Sequence, residues 1–330
     1  MPTQGVGICF TRMMVKKVIL GMLIVAVAVA CGDDEDGVIN GRYVNDVFTE
    51  LDETYDVKYG ANTPLVGFES DLFLDIYEPQ GDNNNARATL ILAHGGAFVS
   101  GTKTQIREVC RSYARKGYVV ASIAYRLIND PSVSDSVAFS EGVIMSIADM
   151  RAAIRFLRDN AQNSNDYGID PNNLFVGGVS AGAIIANHAA YFDSADDVPD
   201  YIQTHLDNHG GVEGNSNDLT ASSSVKGVIA FSGSIVRDKW MDNNTDIPIY
   251  MVHEEFDQVV PCNREATDIF PFAILAYGAC EMETKANELG INHEFEFIAG
   301  SNSHVGYFSD DTQSQELIDA SALFISNAIE

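Results

Sequence analysis

The stretch Gly178-Val179-Ser180-Ala181-Gly182 constrains this chain more than any other. It stands between an apolar run, Leu174-Phe175-Val176-Gly177, and Ala183-Ile184-Ile185-Ala186-Asn187, a good helix start. A strand that turns directly into a helix must hold the serine at the corner in a strained backbone conformation. Large side chains two residues either side would collide with the strand or the helix, so Gly178 and Gly182 are part of the pattern. The turn lifts the hydroxyl above the sheet beside a helix N-terminus, where developing negative charge is favoured. In this strand–turn–helix setting the pattern is specific, and Ser180 is the candidate nucleophile.

The rest of the chain reads as the frame around that corner. Strand candidates lie at 55–59, 72–77, 89–93, 118–124, 174–177, 225–231, 247–252 and 294–298. The middle runs are continuously apolar, as in a parallel sheet covered on both faces. Between them, Val143, Ile147, Met150, Ile154 and Leu157 form one helical stripe. Gly117 and Gly290 stand where helices ending near 116 and 289 would be capped. Early strands followed by β-α alternation predict a doubly wound, mostly parallel sheet of about eight strands with helices on both faces. Residues 192–224, rich in Asp, Asn, Gly and Ser, break the alternation. They read as an insertion over the sheet edge, either a lid or pocket wall or a solvated loop.

A second chemical signal is His94-Gly95-Gly96-Ala97-Phe98, directly after Thr89-Leu90-Ile91-Leu92-Ala93. Glycines at a strand end let a loop bring backbone N–H groups against a substrate oxygen. Gly96 and Ala97 are the candidate oxyanion donors, with Ala181 as a third, while Gly95 permits the turn and His94 orders the loop by hydrogen bonding. His188, within the helix after Ser180, reads as packing. His205 and His209 would line the pocket or, at i, i+4 spacing, hold a metal; with no carboxylate or cysteine partner evident in the sequence, no metal is assigned.

With both motifs in place, the chain resembles the α/β-hydrolase esterases and lipases that carry an HGG oxyanion motif, the hormone-sensitive-lipase-like and type-B carboxylesterases. Leu72-Phe73-Leu74-Asp75-Ile76-Tyr77-Glu78-Pro79, Arg151-Ala152-Ala153-Ile154-Arg155-Phe156-Leu157 and Tyr167-Gly168-Ile169-Asp170-Pro171 share the likeness, which covers most of residues 55–330. Ala97 replaces the third glycine common in some members. The fold implies the chain order serine, acid, histidine. His253-Glu254-Glu255-Phe256-Asp257-Gln258-Val259-Val260-Pro261 is similar to the H-G-x-x-D-x-x-V-P stretch that supplies the acid in many such esterases. That match makes Asp257 the acid and Glu255 the fallback, and it leaves Glu254 where glycine is usual. His304, the one histidine beyond the last strand, becomes the base. The resemblance implies a serine esterase acting on short-chain carboxylic esters through an acyl-enzyme, without metal or organic cofactor. A polymer esterase (acetyl or feruloyl polysaccharide, or polyester), a peptidase on the same fold and a non-catalytic surface-binding lipoprotein are the alternatives.

The N-terminus reads as an address. Lys16-Lys17 precede the apolar run 18–30, short for a bilayer span and suited to a signal segment. Ala28-Val29-Ala30-Cys31 resembles a bacterial lipobox, with Cys31 lipidated; a plain cleaved signal or an uncleaved anchor is the alternative. The expected organisation is a signal at 1–30, an acidic tether at 31–45 and a catalytic domain at 46–330, held at the outer membrane or cell surface or on the periplasmic side. Export places Cys262 and Cys280 in an oxidising compartment, where they would be a disulfide or two buried thiols. Cys110 lies on an apolar helix face and reads as core. A net charge of −27 disfavours nucleic acid and anionic membrane surfaces as partners.

Overall fold

Alternate residues of the apolar runs serve two different cores, which is why those runs show no polar face. In the computed structural model, which describes residues 40–267 and 271–329, Leu90 and Leu92 pack into one core while Ile91 and Ala93 pack into the other. The strands are β1 (Leu51–Asn62), β2 (Ser70–Pro79), β3 (Arg87–Ala93), β4 (Val119–Ile123), β5 (Ile169–Val179), β6 (Val228–Phe231), β7 (Ser234–Ile235), β8 (Ile249–Glu254), β9 (Arg264–Thr267), β10 (Ile274–Gly278) and β11 (His293–Ile298). The helices are α1 (Arg107–Arg115), α2 (Ser136–Gln162), α3 (Ala181–Tyr191), α4 (Asp200–Asn208), α5 (Ala279–Leu289) and α6 (Asp311–Ser326).

Eight strands form one sheet in the order β1-β2-β4-β3-β5-β6-β8-β11. Only the β1–β2 and β2–β4 pairings are antiparallel; the other five are parallel. Helices α1 and α6 cover one face, and α2, α3 and α5 cover the other. This is the α/β-hydrolase fold, with the strand count and layering the sequence predicts. Gly290 caps α5 in the left-handed region (φ 71°), as its position suggests.

Several boundaries and roles differ from expectation. The stretch expected as tether (31–45) is partly domain: Arg42 pairs with Asp82, Tyr43 N–H donates to Lys116 O, and the Tyr43 hydroxyl accepts Ala88 N–H. A chain with such partners is anchored rather than extended, so the folded unit begins before residue 46. The signal segment and Cys31 lie outside the described residues. A second, three-stranded sheet (β7-β10-β9) was not foreseen, because its strands are short and β9 is largely exposed.

Helix α2 is buried well beyond its apolar stripe, because residues 192–224 pack over its outer side. Arg151 donates to the carbonyls of Val212 and Phe192, Arg155 to that of Glu213, and Arg158 to those of Ser222 and Ser224. Each guanidinium satisfies carbonyls that a loop lying on apolar surface would otherwise bury unpaired. Beneath them Arg126 and Asp149, both buried, form a bidentate pair that Ser216 completes.

Candidate functional site

The corner after β5 has the geometry its sequence requires. Ser180 sits at φ 56°, ψ −119°, a conformation costing about 1–3 kcal/mol in an L-residue. Surrounding contacts hold it there. Ser180 N–H donates to Phe231 O at 2.8 Å, and a Cβ on Gly182 would lie 2.0 Å from Ala93 O. A Cβ on Gly178 would lie 2.4 Å from Gly182 C, so both flanking positions must be glycine.

Three side chains from three elements meet at this corner. Ser180 Oγ is 2.7 Å from His304 Nε2, and His304 Nδ1 is 2.6 Å from Asp257 Oδ2. The Asp257 contact fixes the proton on Nδ1, which leaves Nε2 to accept the serine proton. Asp257 follows β8 and is itself held: its Oδ1 accepts Val259 N–H at 2.8 Å and Val260 N–H at 3.0 Å. The fallback acid, Glu255, is turned elsewhere and accepts Gly300 N–H at 2.7 Å. A hydroxyl on an imidazole oriented by a buried carboxylate is an arrangement that can generate a nucleophile.

The HGG loop lies directly beside the serine. A Cβ on Gly95 would come within 3.3 Å of Ser180 Cβ. Gly96, Ala97 and Phe98 all have positive φ (118°, 53° and 65°). Among the described residues the N–H groups of Gly96, Ala97 and Ala181 donate to no protein acceptor, as groups reserved for a ligand oxygen would. His94 is buried; its Nδ1–H donates to Gly95 O at 2.7 Å and its ring stacks on Tyr125, while burial holds its pKa below the usual range.

The other histidines serve structure. His188 Nδ1–H donates to Ile184 O, and Nε2 accepts Val236 N–H. Burial lowers its pKa to about 4, so it is neutral at physiological pH. His205 and His209 do have a carboxylate neighbour, Glu141, which the sequence did not reveal because it lies on α2: His209 Nε2 is 2.8 Å and His205 Nδ1 3.8 Å from it. His205 Nε2–H donates to Val137 O.

Beside Ser180 opens a pocket of about 660 Å³, walled by Phe98, Phe139, Ile184, Tyr201, Trp240 and Ile274. Its walls come from the HGG loop, α2, α3, α4 and the second sheet. Tyr201 and Ile202 make α4, inside residues 192–224, a pocket wall. Cys262 and Cys280 are bridged, tying the β8–β9 loop to the start of α5. Cys110 is a buried free thiol whose pKa burial raises.

Sequence reasoning did not find the buried groups around the triad-like cluster. His253 Nε2–H donates to Val260 O at 2.7 Å, bracing the Asp257 turn, and burial lowers its pKa. Glu254, Ser232 and Tyr307 form a hydrogen-bonded group beneath the His304 loop. The only signal was Glu254 standing where glycine is usual.

The fold and this corner define the class as α/β-hydrolase. Within it the chain belongs to the BD-FAE family, whose model matches residues 74–247. Among solved structures, it is similar to the thermophilic esterase Est2 of the planctomycete Thermogutta terrifontis in its propionate-bound form. The TM-score is 0.59 at 19% identity, covering 82% of this chain and 93% of that one; at such identity the likeness speaks to the fold. Among curated proteins, Esterase E4 of Myzus persicae is 27% identical over 137 residues, 40% of this chain and 24% of that protein. Gut esterase 1 of Caenorhabditis elegans is 31% identical over 117 residues, 35% of this chain and 20% of that protein. The chain thus spans only about a quarter to a fifth of the length of these curated relatives.

Proposed function

We propose that this protein is a serine esterase that hydrolyses short-chain carboxylic esters. The observation that carries the reading is the unbroken contact chain from Ser180 Oγ through His304 to Asp257, at 2.7 and 2.6 Å. In this reading His304 Nε2 takes the Ser180 proton as the hydroxyl attacks the ester carbonyl, and Asp257 stabilises the imidazolium. The carbonyl oxygen, now negative, is received by the N–H groups of Gly96, Ala97 and Ala181; one such donor is typically worth about 2.7–4 kcal/mol of barrier. His304 returns its proton to the leaving alkoxide, giving an acyl-serine. Water, deprotonated by the same imidazole, then releases the acid and restores Ser180.

Est2 of Thermogutta terrifontis has been solved with propionate and with butyrate bound, which supports a short acyl side. The pocket, far larger than an acetyl group and walled by aromatic rings, supports a bulky group on one side of the ester. Lipid anchoring at Cys31 and display outside the cell remain part of the proposal on the lipobox alone. The test is hydrolysis of p-nitrophenyl esters from acetate through laurate by the chain from Gly37 onward. Turnover highest with the shorter acyl groups is expected; no turnover with any ester would reject the esterase reading and bring forward a peptidase or binding role.

A further inference from the structure

The loop that carries His304 is tied down at its start, where Glu255 Oε2 accepts Gly300 N–H at 2.7 Å and Phe256 N–H donates to Ser301 O at 2.8 Å, but its backbone is less held at His304 itself. Among the described residues, the N–H and C=O of His304 make no hydrogen bond, and residues 299–305 form no helix or strand. The next residue, Val305, lies in the left-handed region at φ 53°. That conformation is a genuine outlier for a β-branched side chain and needs outside support.

At the N–H groups of Val305 and Gly306 that support is one buried carboxylate. Glu254 Oε1 accepts Gly306 N–H at 2.7 Å, and Oε2 accepts Val305 N–H at 3.0 Å. Ser232 O–H donates to Oε2 at 3.2 Å, and the Tyr307 hydroxyl, 2.9 Å from Ser232 Oγ, completes the chain. Glu254 is 1% exposed, so water does not compete for these bonds. A Cβ on Gly306 would stand 3.1 Å from Glu254 Oε1 and 2.6 Å from Ser303 Cβ, so the approach requires glycine there. Glu254 lies three residues before Asp257. One turn thus supplies the carboxylate that meets the imidazole and the carboxylate that grips the backbone behind it.

We infer that Glu254 is a positioning residue: its carboxylate holds Val305 and Gly306 in the turn that aims His304 Nε2 at Ser180 Oγ. It touches neither substrate nor a reacting atom. Burial pushes its carboxyl above the usual range while the two backbone donors pull it back, so the carboxylate depends on the loop as the loop depends on it. The inference rests on the esterase reading above.

The test is Glu254→Gln, measured for kcat and KM with p-nitrophenyl acetate beside wild type, with thermal melting of both. An amide keeps one acceptor and turns a donor toward the second N–H, so one loop bond is lost. Displacing a general base by a fraction of an ångström to an ångström leads to a fall in kcat of about 10- to 100-fold, with KM within about two-fold. Adding Val305→Gly to Glu254→Gln removes the left-handed penalty and is expected to restore part of kcat, which general destabilisation would not explain. Wild-type-like kcat in folded Glu254→Gln, or no recovery in the double variant, overturns the inference and leaves the esterase reading intact. Wild type inert toward every ester overturns both. Should Glu254→Gln not fold, Glu254→Asp, which keeps the charge but shortens the reach to both loop N–H groups, decides: a kcat lowered several-fold at constant KM supports the inference, and an unchanged kcat overturns it.

Discussion

Replacing Asp257 by asparagine separates the chemistry of the site from its architecture. The two oxygens of Asp257 face different partners: Oδ1 accepts Val259 and Val260 N–H, and Oδ2 meets His304 Nδ1. An asparagine amide must keep its oxygen on the backbone side, because the opposite orientation would leave two buried N–H groups unpaired at about 1–3 kcal/mol each. Its NH2 group then faces His304. The imidazole responds by presenting an unprotonated Nδ1, and the proton moves to Nε2, facing Ser180 Oγ. In that tautomer the imidazole cannot accept the serine proton. A loss on the order of 10⁴ in kcat follows from the wrong tautomer. At about 1.36 kcal/mol per factor of ten this is about 5 kcal/mol of transition-state stabilisation. Folding should be nearly untouched, since both backbone bonds persist. Asp257→Ala, by contrast, should lose activity and also stability, by about 2–6 kcal/mol from the two abandoned N–H groups. Steady-state hydrolysis of p-nitrophenyl acetate and urea unfolding of the three proteins measure both effects. An Asp257→Asn enzyme within ten-fold of wild type would refute the tautomer argument.

Two further outcomes follow from the structure. Replacing Cys262 and Cys280 by serine together opens a loop of 18 residues and should lower unfolding free energy by about 3 kcal/mol, read as a fall in the urea midpoint. His188, with its pKa lowered by burial from 6.5 to about 4, binds its proton more readily unfolded than folded between those values. In that window the unfolded state holds more protons, so its contribution to stability falls as pH drops from about 6.5 toward about 4, by roughly 3 kcal/mol in all. The stability difference between wild type and His188→Gln should therefore shrink across the same range in urea titrations.

What the sequence conveys well is whatever a short stretch determines by itself. The corner at Gly178–Gly182 forbids side chains through contacts within a few residues and with the neighbouring strand, so its residue types announce its geometry. The parallel strands announce themselves because burial on both faces leaves no exposed position in β3 or β4, so their runs are mostly apolar. His304 stood out as the histidine beyond the last strand, and Asp257 through the likeness of residues 253–261 to an esterase motif; the structure brings the two within 2.6 Å. What was not legible depends on partners distant in sequence. Arg151, Arg155 and Arg158 look like the polar side of an amphipathic helix, yet they are buried under carbonyls supplied some 40 to 65 residues later. The walls formed by Phe139, Tyr201 and Trp240 converge from separate elements with no shared pattern. Whether the late cysteines bridge depends on their reach, and at 5.1 Å between Cα atoms they are close enough. Glu254 was visible only as a departure from a motif, and its meaning lies in a loop 51 and 52 residues away.

The central claim is that Ser180 is a nucleophile activated by His304, and covalent trapping tests it most directly. The chain from Gly37 onward would be treated with an organophosphonate ester, which reacts with activated serines, and then digested and mapped by mass. Wild type should take one adduct, on the peptide containing Ser180, in step with loss of ester hydrolysis, while Ser180→Ala takes none and His304→Ala reacts at least about 10³-fold more slowly. An adduct on another residue, or ester hydrolysis that survives full modification of Ser180, would contradict the account.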